Sequence, residues 1–209
     1  LNYTAKGRQI NFPLYDDFEA VAEYKQGYIR NEFSINTIWG RNSYVSLYNA
    51  HNYQSLSPNM RTPTTLDGSN SSLEAGMRFL YNTLNRNAFP TSGQRINVRG
   101  SFFYNQNPSI SDIRLDGQEA TLEDLGIDIN NFFQVYFTSE NFIPISSTMT
   151  QIFSLQLGYN LSYSQGFINS FNLGGTKRFL ENQLTFTGIN EYEVISESAL
   201  IASIGYQYN

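Results

Sequence analysis

Hydrophobic and polar residues alternate singly along most of this chain. The longest row runs Phe153, Leu155, Leu157, Tyr159, Leu161, Tyr163, with Ser154, Gln156, Gly158, Asn160 and Ser162 between. Another ends the sequence: Leu200, Ala202, Ile204, Tyr206, Tyr208, opposed by Ile201, Ser203, Gly205 and Gln207. A period of two predicts strands with two unlike faces. Further rows are Phe18, Ala20, Ala22, Tyr24, ending at Gly27; Phe33, Ile35, Thr37, Trp39; Tyr44 to Tyr53; Leu73, Ala75, Met77, Phe79, Tyr81; Ile96, Val98, Phe102, Tyr104; and Phe133, Val135, Phe137. Leu1 to Asp17 carries no firm assignment.

Turn residues punctuate the rows. Gly40-Arg41-Asn42-Ser43 reads as a hairpin turn, and Asn85 to Gly93 as a turn closed by Pro90 and Gly93. Asn141 to Ser147 turns through Pro144, and Ser164 to Ser170 is a short link. Residues 55–71 and 105–131 read as long polar loops. The second is acidic, and its Thr-Leu-Glu-Asp-Leu-Gly-Ile stretch predicts a short helix capped by Thr121. Eight to ten strands result, joined by tight turns and long loops. That habit belongs to outer-membrane barrels, and the row from Phe153 to Tyr163 has the roughly 9 to 11 residues a tilted membrane strand needs. A soluble β-sandwich alternates similarly but uses strands of about five or six residues. The expected fold is therefore an all-β, antiparallel transmembrane barrel, with the sandwich as its competitor.

Composition supports the barrel. Charged residues are only 15% and aromatics 15%, with 15 Tyr and 16 Phe against one Trp. A lipid face excludes charge, and interfacial girdles favour aromatics. No run approaches the 18 or so apolar residues of a membrane helix. Without Cys there is neither a disulfide framework nor a thiolate metal site. A net charge of −5 gives no reason to expect nucleic acid.

Two motifs carry a family resemblance. The run from Tyr81 through Thr83-Leu84 to Pro90-Thr91-Ser92-Gly93 resembles a turn of the bacterial surface-antigen barrels. That superfamily includes outer-membrane assembly insertases and two-partner-secretion transporters. Leu173-Gly174-Gly175, followed by Arg178-Phe179, is similar to its inward-folded loop, whose hallmark is Val-Arg-Gly-Phe or Tyr. Here Lys177-Arg178-Phe179 lacks the Gly. The lead Leu-Gly-Gly and the stretch Asn182 to Gly188 look most like barrels fused behind patatin-like phospholipases. The resemblance covers roughly Leu73 to Tyr208. It implies a sixteen-stranded barrel in the bacterial outer membrane. About ten strands at most lie within 1–209, so further strands are expected at one or both ends. It also implies that Gly174, Gly175, Arg178 and Phe179 form the inward loop motif. An Arg folded into a lumen needs carboxylate partners, with Glu74 one candidate. Ordinary turn chemistry accounts equally for Lys177-Arg178, Gly174-Gly175, Pro90 and Gly93.

Catalytic constellations are missing from the sequence. There is no Gly-x-Ser-x-Gly elbow. Asp67-Gly68 and Asp116-Gly117 read as turns, and the acidic stretch Asp112 to Asp128 as a solvated loop whose spacing matches no calcium loop. His51, the lone His, is expected at a strand end near the interface. No metal or cofactor is implied. The expected function is an outer-membrane barrel anchoring or exporting a patatin-like phospholipase whose catalytic domain lies outside the chain. A barrel for protein assembly or secretion is the alternative, and a small structural or adhesive barrel a blander third. The expected partners are outer-membrane lipids and other outer-membrane or periplasmic proteins.

Overall fold

A computed structural model describes residues 1–16, 19–40, 42–59, 65–161, 169–175, 182–190 and 193–208. Phe18, Arg41, Tyr163, Lys177, Arg178 and Phe179 lie outside the described residues. The long elements are β1 (Asn2–Asp16), β2 (Glu19–Trp39), β3 (Ser43–Pro58), β4 (Thr65–Asn82), β5 (Gly93–Leu115), β7 (Phe132–Pro144), β8 (Met149–Leu161) and β12 (Ser198–Tyr208). Short strands are β6 (Gln118–Glu119), β9 (Phe171–Leu173), β10 (Gln183–Leu184) and β11 (Val194–Ser196). One nine-stranded sheet has the order β1-β2-β3-β4-β5-β7-β8-β12, with β6 beside β5. A three-stranded sheet has the order β10-β9-β11. All pairings within the large sheet are antiparallel. Among the described residues no helix is long and apolar enough to cross a membrane, which says nothing of strands.

The register keeps like residues on like faces. Phe33, Asn49, Ala75, Phe102, Phe133 and Leu161 stand side by side on one face. One residue along, Glu32, Ala50, Glu74, Phe103 and Phe132 share the other. A slip of one residue would exchange the two sets. Ile35, Leu200 and Ile204 are 62%, 67% and 63% exposed, whereas Arg30 and Glu74 are 2% and 0% exposed. Apolar residues outside and charges inside invert a soluble sandwich, because only a hydrocarbon solvent makes that arrangement favourable. Aromatics border the apolar band: Trp39, Tyr81, Tyr206 and Tyr208 on the side of the tight turns, and Tyr53, Tyr104, Phe133 and Tyr159 on the other. The described sheet is an open run of barrel wall with β1 and β12 at its edges.

Several sequence expectations need correction. Residues 1–17 hold a long strand, β1. β2 does not end at Gly27 but continues through it, paired with Ser55, whose Oγ would lie 2.6 Å from a Cβ at position 27. Residues 55–71 are mostly strand, with β3 reaching Pro58 and β4 starting at Thr65. β5 likewise continues to Leu115, leaving only the second half of 105–131 irregular. The extensions pair because their inner face gathers an apolar cluster of Ala22, Tyr24, Leu56, Leu66 and Ile113. A lobe formed by 120–131 covers that cluster with Leu122, Leu125, Ile127 and Ile129.

Smaller corrections follow from local chemistry. Asp67-Gly68 sits within β4 at a register shift rather than in a turn. Asp116-Gly117, by contrast, is the turn expected, with φ of 53° and 83°, the positive pair that a two-residue hairpin requires. Thr121 does cap, but it caps one turn and not a helix: its N–H and hydroxyl donate to Asp124 Oδ2 at 2.8 Å each. β7 runs through Pro144, so the turn to β8 is shorter than expected. His51 lies in mid-β3 on the outer face, its Nε2 2.8 Å from Ser71 Oγ, and not at a strand end.

Candidate functional site

The inner wall carries a buried ionic cluster that spans three strands. Alternation points Arg30 and Glu32 of β2, Glu74 and Arg78 of β4, and Tyr48 and Asn52 of β3 to the same side. Arg30 pairs with Glu74 through Nη1 and with Glu32 through Nη2 at 2.8 Å. Arg78 forks onto both oxygens of Glu32, each bond 2.7 Å. The Glu74 carboxylate also accepts from Tyr48 OH at 2.7 Å and from Asn52 Nδ2 at 3.0 Å. Tyr48 reaches it because β4 has Gly76 opposite: a Cβ there would fall 2.4 Å from the phenol oxygen. The ring of Tyr48 in turn lies under the Arg78 guanidinium, 4.2 Å from its centroid. Beside the cluster, Arg99 Nη2 donates to Gln134 Oε1 at 2.9 Å and faces the Tyr136 ring.

The described parts of the connection between β8 and β12, 169–175 and 182–190, pack onto this same face. Phe171, wholly buried, seats its ring against Gly158 of β8, where a Cβ would meet it at 2.6 Å. With Leu184, Tyr136 and Ile201 it forms an apolar island beside the charged part of the wall. Amide side chains fix the surrounding backbone. Gln134 Nε2 and Asn160 Nδ2 donate to the Asn169 carbonyl at 3.3 and 3.1 Å, and Gln156 Nε2 donates to the Thr185 carbonyl at 2.8 Å. Gly174 and Gly175 have φ of 116° and 74°, so the turn after β9 uses backbone that L side chains resist. A cavity remains between this segment and the charged wall, lined by Arg30, Glu74, Arg99, Gln134, Asn169 and Asn182 among others. Toward the tight turns lies an open recess of about 570 Å³, bounded by Arg95, Glu140, Gln156, Thr185 and Phe186.

The expected site residues separate accordingly. Gly174 and Gly175 belong to the segment on the inner wall, while Arg178 and Phe179 lie outside the described residues. Glu74 is engaged by Arg30, Asn52 and Tyr48. Pro90 and Gly93 belong to the β4–β5 turn. Gly93 has φ 105°, and a Cβ there would come 2.4 Å from the Thr83 carbonyl oxygen. Asn85 organises that turn by accepting from the Thr91 N–H at 3.0 Å and donating to Thr91 Oγ1 at 2.7 Å. Sequence reasoning missed Arg30 as the partner of Glu74. The available signal was phase: both residues occupy the positions between lipid-facing ones. Among the described residues no group of three or more His, Asp or Glu could hold a metal ion.

The chain matches the model of the Omp85 superfamily domain over residues 1–206. Neither a curated protein nor a solved structure matches it. A polar, charge-paired inner wall, an apolar outer band and a segment folded onto the inner wall agree with that match, and the chain belongs to the Omp85 superfamily, whose members are outer-membrane β-barrels.

Proposed function

We propose that this domain forms wall and inner segment of a barrel that inserts or secretes other proteins at the bacterial outer membrane. The observation that supports this is the segment around Phe171 and Leu184, packed on a charge-lined wall inside the sheet. A wall serving only as an anchor has no need for such an occupant. Its many amide side chains can exchange hydrogen bonds with a passing backbone at little net cost. The working partners are then outer-membrane lipids and client proteins arriving from the periplasm. Depleting the parent protein in its source cells tests the reading. Outer-membrane or secreted proteins should accumulate in the periplasm, and unchanged levels of both would refute it.

A finer reading makes this the barrel of a patatin-like phospholipase. It rests on Leu173-Gly174-Gly175 and the stretch Asn182 to Gly188. In that reading Arg178 and Phe179 complete a degenerate inward motif. The parent sequence decides it: a Gly-x-Ser-x-Gly elbow in an upstream α/β domain is required.

A further inference from the structure

The outer band is not uniformly apolar. On β2 and β3 the lipid-facing row reads Ile35, Phe33, Asn31 and Leu47, Asn49, His51. Their register neighbours on β4 and β5 are Leu73, Ala75, Met77, Gly100, Phe102 and Tyr104. Asn49 sits two residues above Leu47, and two full outward positions below the aromatic border at Tyr53. Polar groups thus descend into the band from this border along β2 and β3.

Three cross-strand hydrogen bonds tie the patch together. Tyr3 OH donates to Asn31 Oδ1 at 2.9 Å, Asn49 Nδ2 donates to Tyr104 OH at 3.0 Å, and His51 Nε2 lies 2.8 Å from Ser71 Oγ. All three are on the exposed surface. The bonds do not exhaust these side chains. The Asn31 amide nitrogen, the Asn49 amide oxygen and His51 Nδ1 have no partner among the described residues. In hydrocarbon each such group costs roughly 2–7 kcal/mol, so three would offset much of a barrel's stability.

We propose that this patch is a headgroup notch, in which the phosphate-and-ester zone of the adjoining leaflet is drawn down to Asn49. Asn31 and His51 donate to lipid oxygens there, and Tyr3 and Tyr104 frame the opening. The notch rests on the reading of this face as membrane-embedded, and the test separates the two.

The chain has no Cys, so after replacement of any Cys elsewhere in the parent protein a nitroxide can be placed at one chosen position, with the protein reconstituted in phosphatidylethanolamine–phosphatidylglycerol vesicles. Position 33, the register partner of Asn49, keeps all three polar residues intact. Position 155 lies in the same band on β8. Collisions with a water-soluble nickel chelate and with oxygen report polarity at each. The expected result is nickel access at 33 and oxygen access alone at 155. Replacing Asn31, Asn49 and His51 together by Leu should then abolish nickel access at 33. Oxygen access alone at both positions in the native background would overturn the notch and leave the membrane reading standing. Nickel access at 155 would overturn both. If the triple variant does not fold, the native comparison of 33 with 155 decides.

Discussion

Replacing Glu74 by Ala should be among the most damaging single changes on the inner wall. Glu74 is fully buried and holds three strands together through Arg30, Tyr48 and Asn52. Breaking a buried ion pair by removing one partner costs about 3–5 kcal/mol. The structure argues for the lower part of that range. Arg30 keeps Glu32 and Asn52, and Tyr48 keeps Ser101 at 2.7 Å. The net loss is then one charge pair, one amide and one phenol hydrogen bond to the carboxylate, and the small void left behind. We expect about 3 kcal/mol for Glu74→Ala and about 1–2 kcal/mol for Glu74→Gln, which preserves shape and keeps one acceptor oxygen for Arg30 and Asn52 while its amide nitrogen faces the Tyr48 hydroxyl. Arg30→Met with Glu74→Met should cost less than the sum of the singles. Both charges leave together, and Glu32 retains its fork from Arg78. The assay is urea-dependent refolding into lipid vesicles, followed by heat-modifiable gel mobility. A Glu74→Ala loss below about 1 kcal/mol, or strict additivity in the double variant, would refute the reasoning.

Other changes probe the remaining layers. Leu157→Arg, on the lipid face between Phe137 and Leu200, should destabilise insertion by about 2–4 kcal/mol in the same refolding assay. Gln156→Arg, one residue away and facing inward, should be milder; equal losses would remove the assignment of faces. Gly158→Val should push Phe171 out of its seat, and limited proteolysis should then cut within 169–190 while the wall still shows folded mobility. In the capped turn, the amide and hydroxyl of Thr121 hold the Asp124 carboxyl below its ordinary value. A lowered pKa means the contact stabilises fully above the ordinary Asp range and is lost as pH falls through the lowered value. Amide exchange of 121–127 should therefore be flat from pH 7 to about 5, after correction for intrinsic rates, and rise below about pH 4. A rise centred near neutrality would contradict the assignment.

Alternation made much of the wall legible. Where strands cross the hydrocarbon, one face must be apolar at every second residue, so rows such as Leu73 to Tyr81 appear in the sequence as they stand in the sheet. Above the band that constraint vanishes. β5 shows why its continuation read as loop. Its pairing with β4 shifts between Ser71 and Leu73 and again between Asp67 and Gly68, and Asn105 takes φ 52°. The first inserted residue reverses which parity faces in and the second restores it, so Phe103 and Ile113 both point inward while Asn107 and Ser109 between them pair with the outward Ser71 and Ser69. Pro108 and the serines around it then looked like turn chemistry. The ionic cluster was half legible. Glu74 stood out as an inward carboxylate, but its partner Arg30 lies 44 residues away. Only the β2–β3–β4 register, set by two hairpins, brings them together.

The same strands solve opposite problems at their two ends. In the band the inner face of β2 carries Arg30 and Glu32, which hydrocarbon outside would never accept. Some six residues earlier that face carries Ala22 and Tyr24, part of an apolar cluster. Water surrounds the upper part on its outer side, so burial there must happen inside, and the lobe 120–131 supplies the cover. The reversal gives the long strands a reason to exceed the roughly 9 to 11 residues that a bilayer asks of them. β7 and β12, at 13 and 11 residues, meet no such lobe above the band among the described residues and stop near the aromatic border. It follows that the wall's height is set locally by whatever inner apolar cover each strand can find. Removing that cover, by Leu122→Asp with Ile127→Asp, should unpair the extensions of β2–β5 while the membrane-embedded registers persist. Hydrogen exchange would show fast amides at 20–24 and 110–114 beside protected ones at 30–36 and 98–102. Uniform protection, or collapse of both zones together, would mean that one cooperative unit spans the whole height.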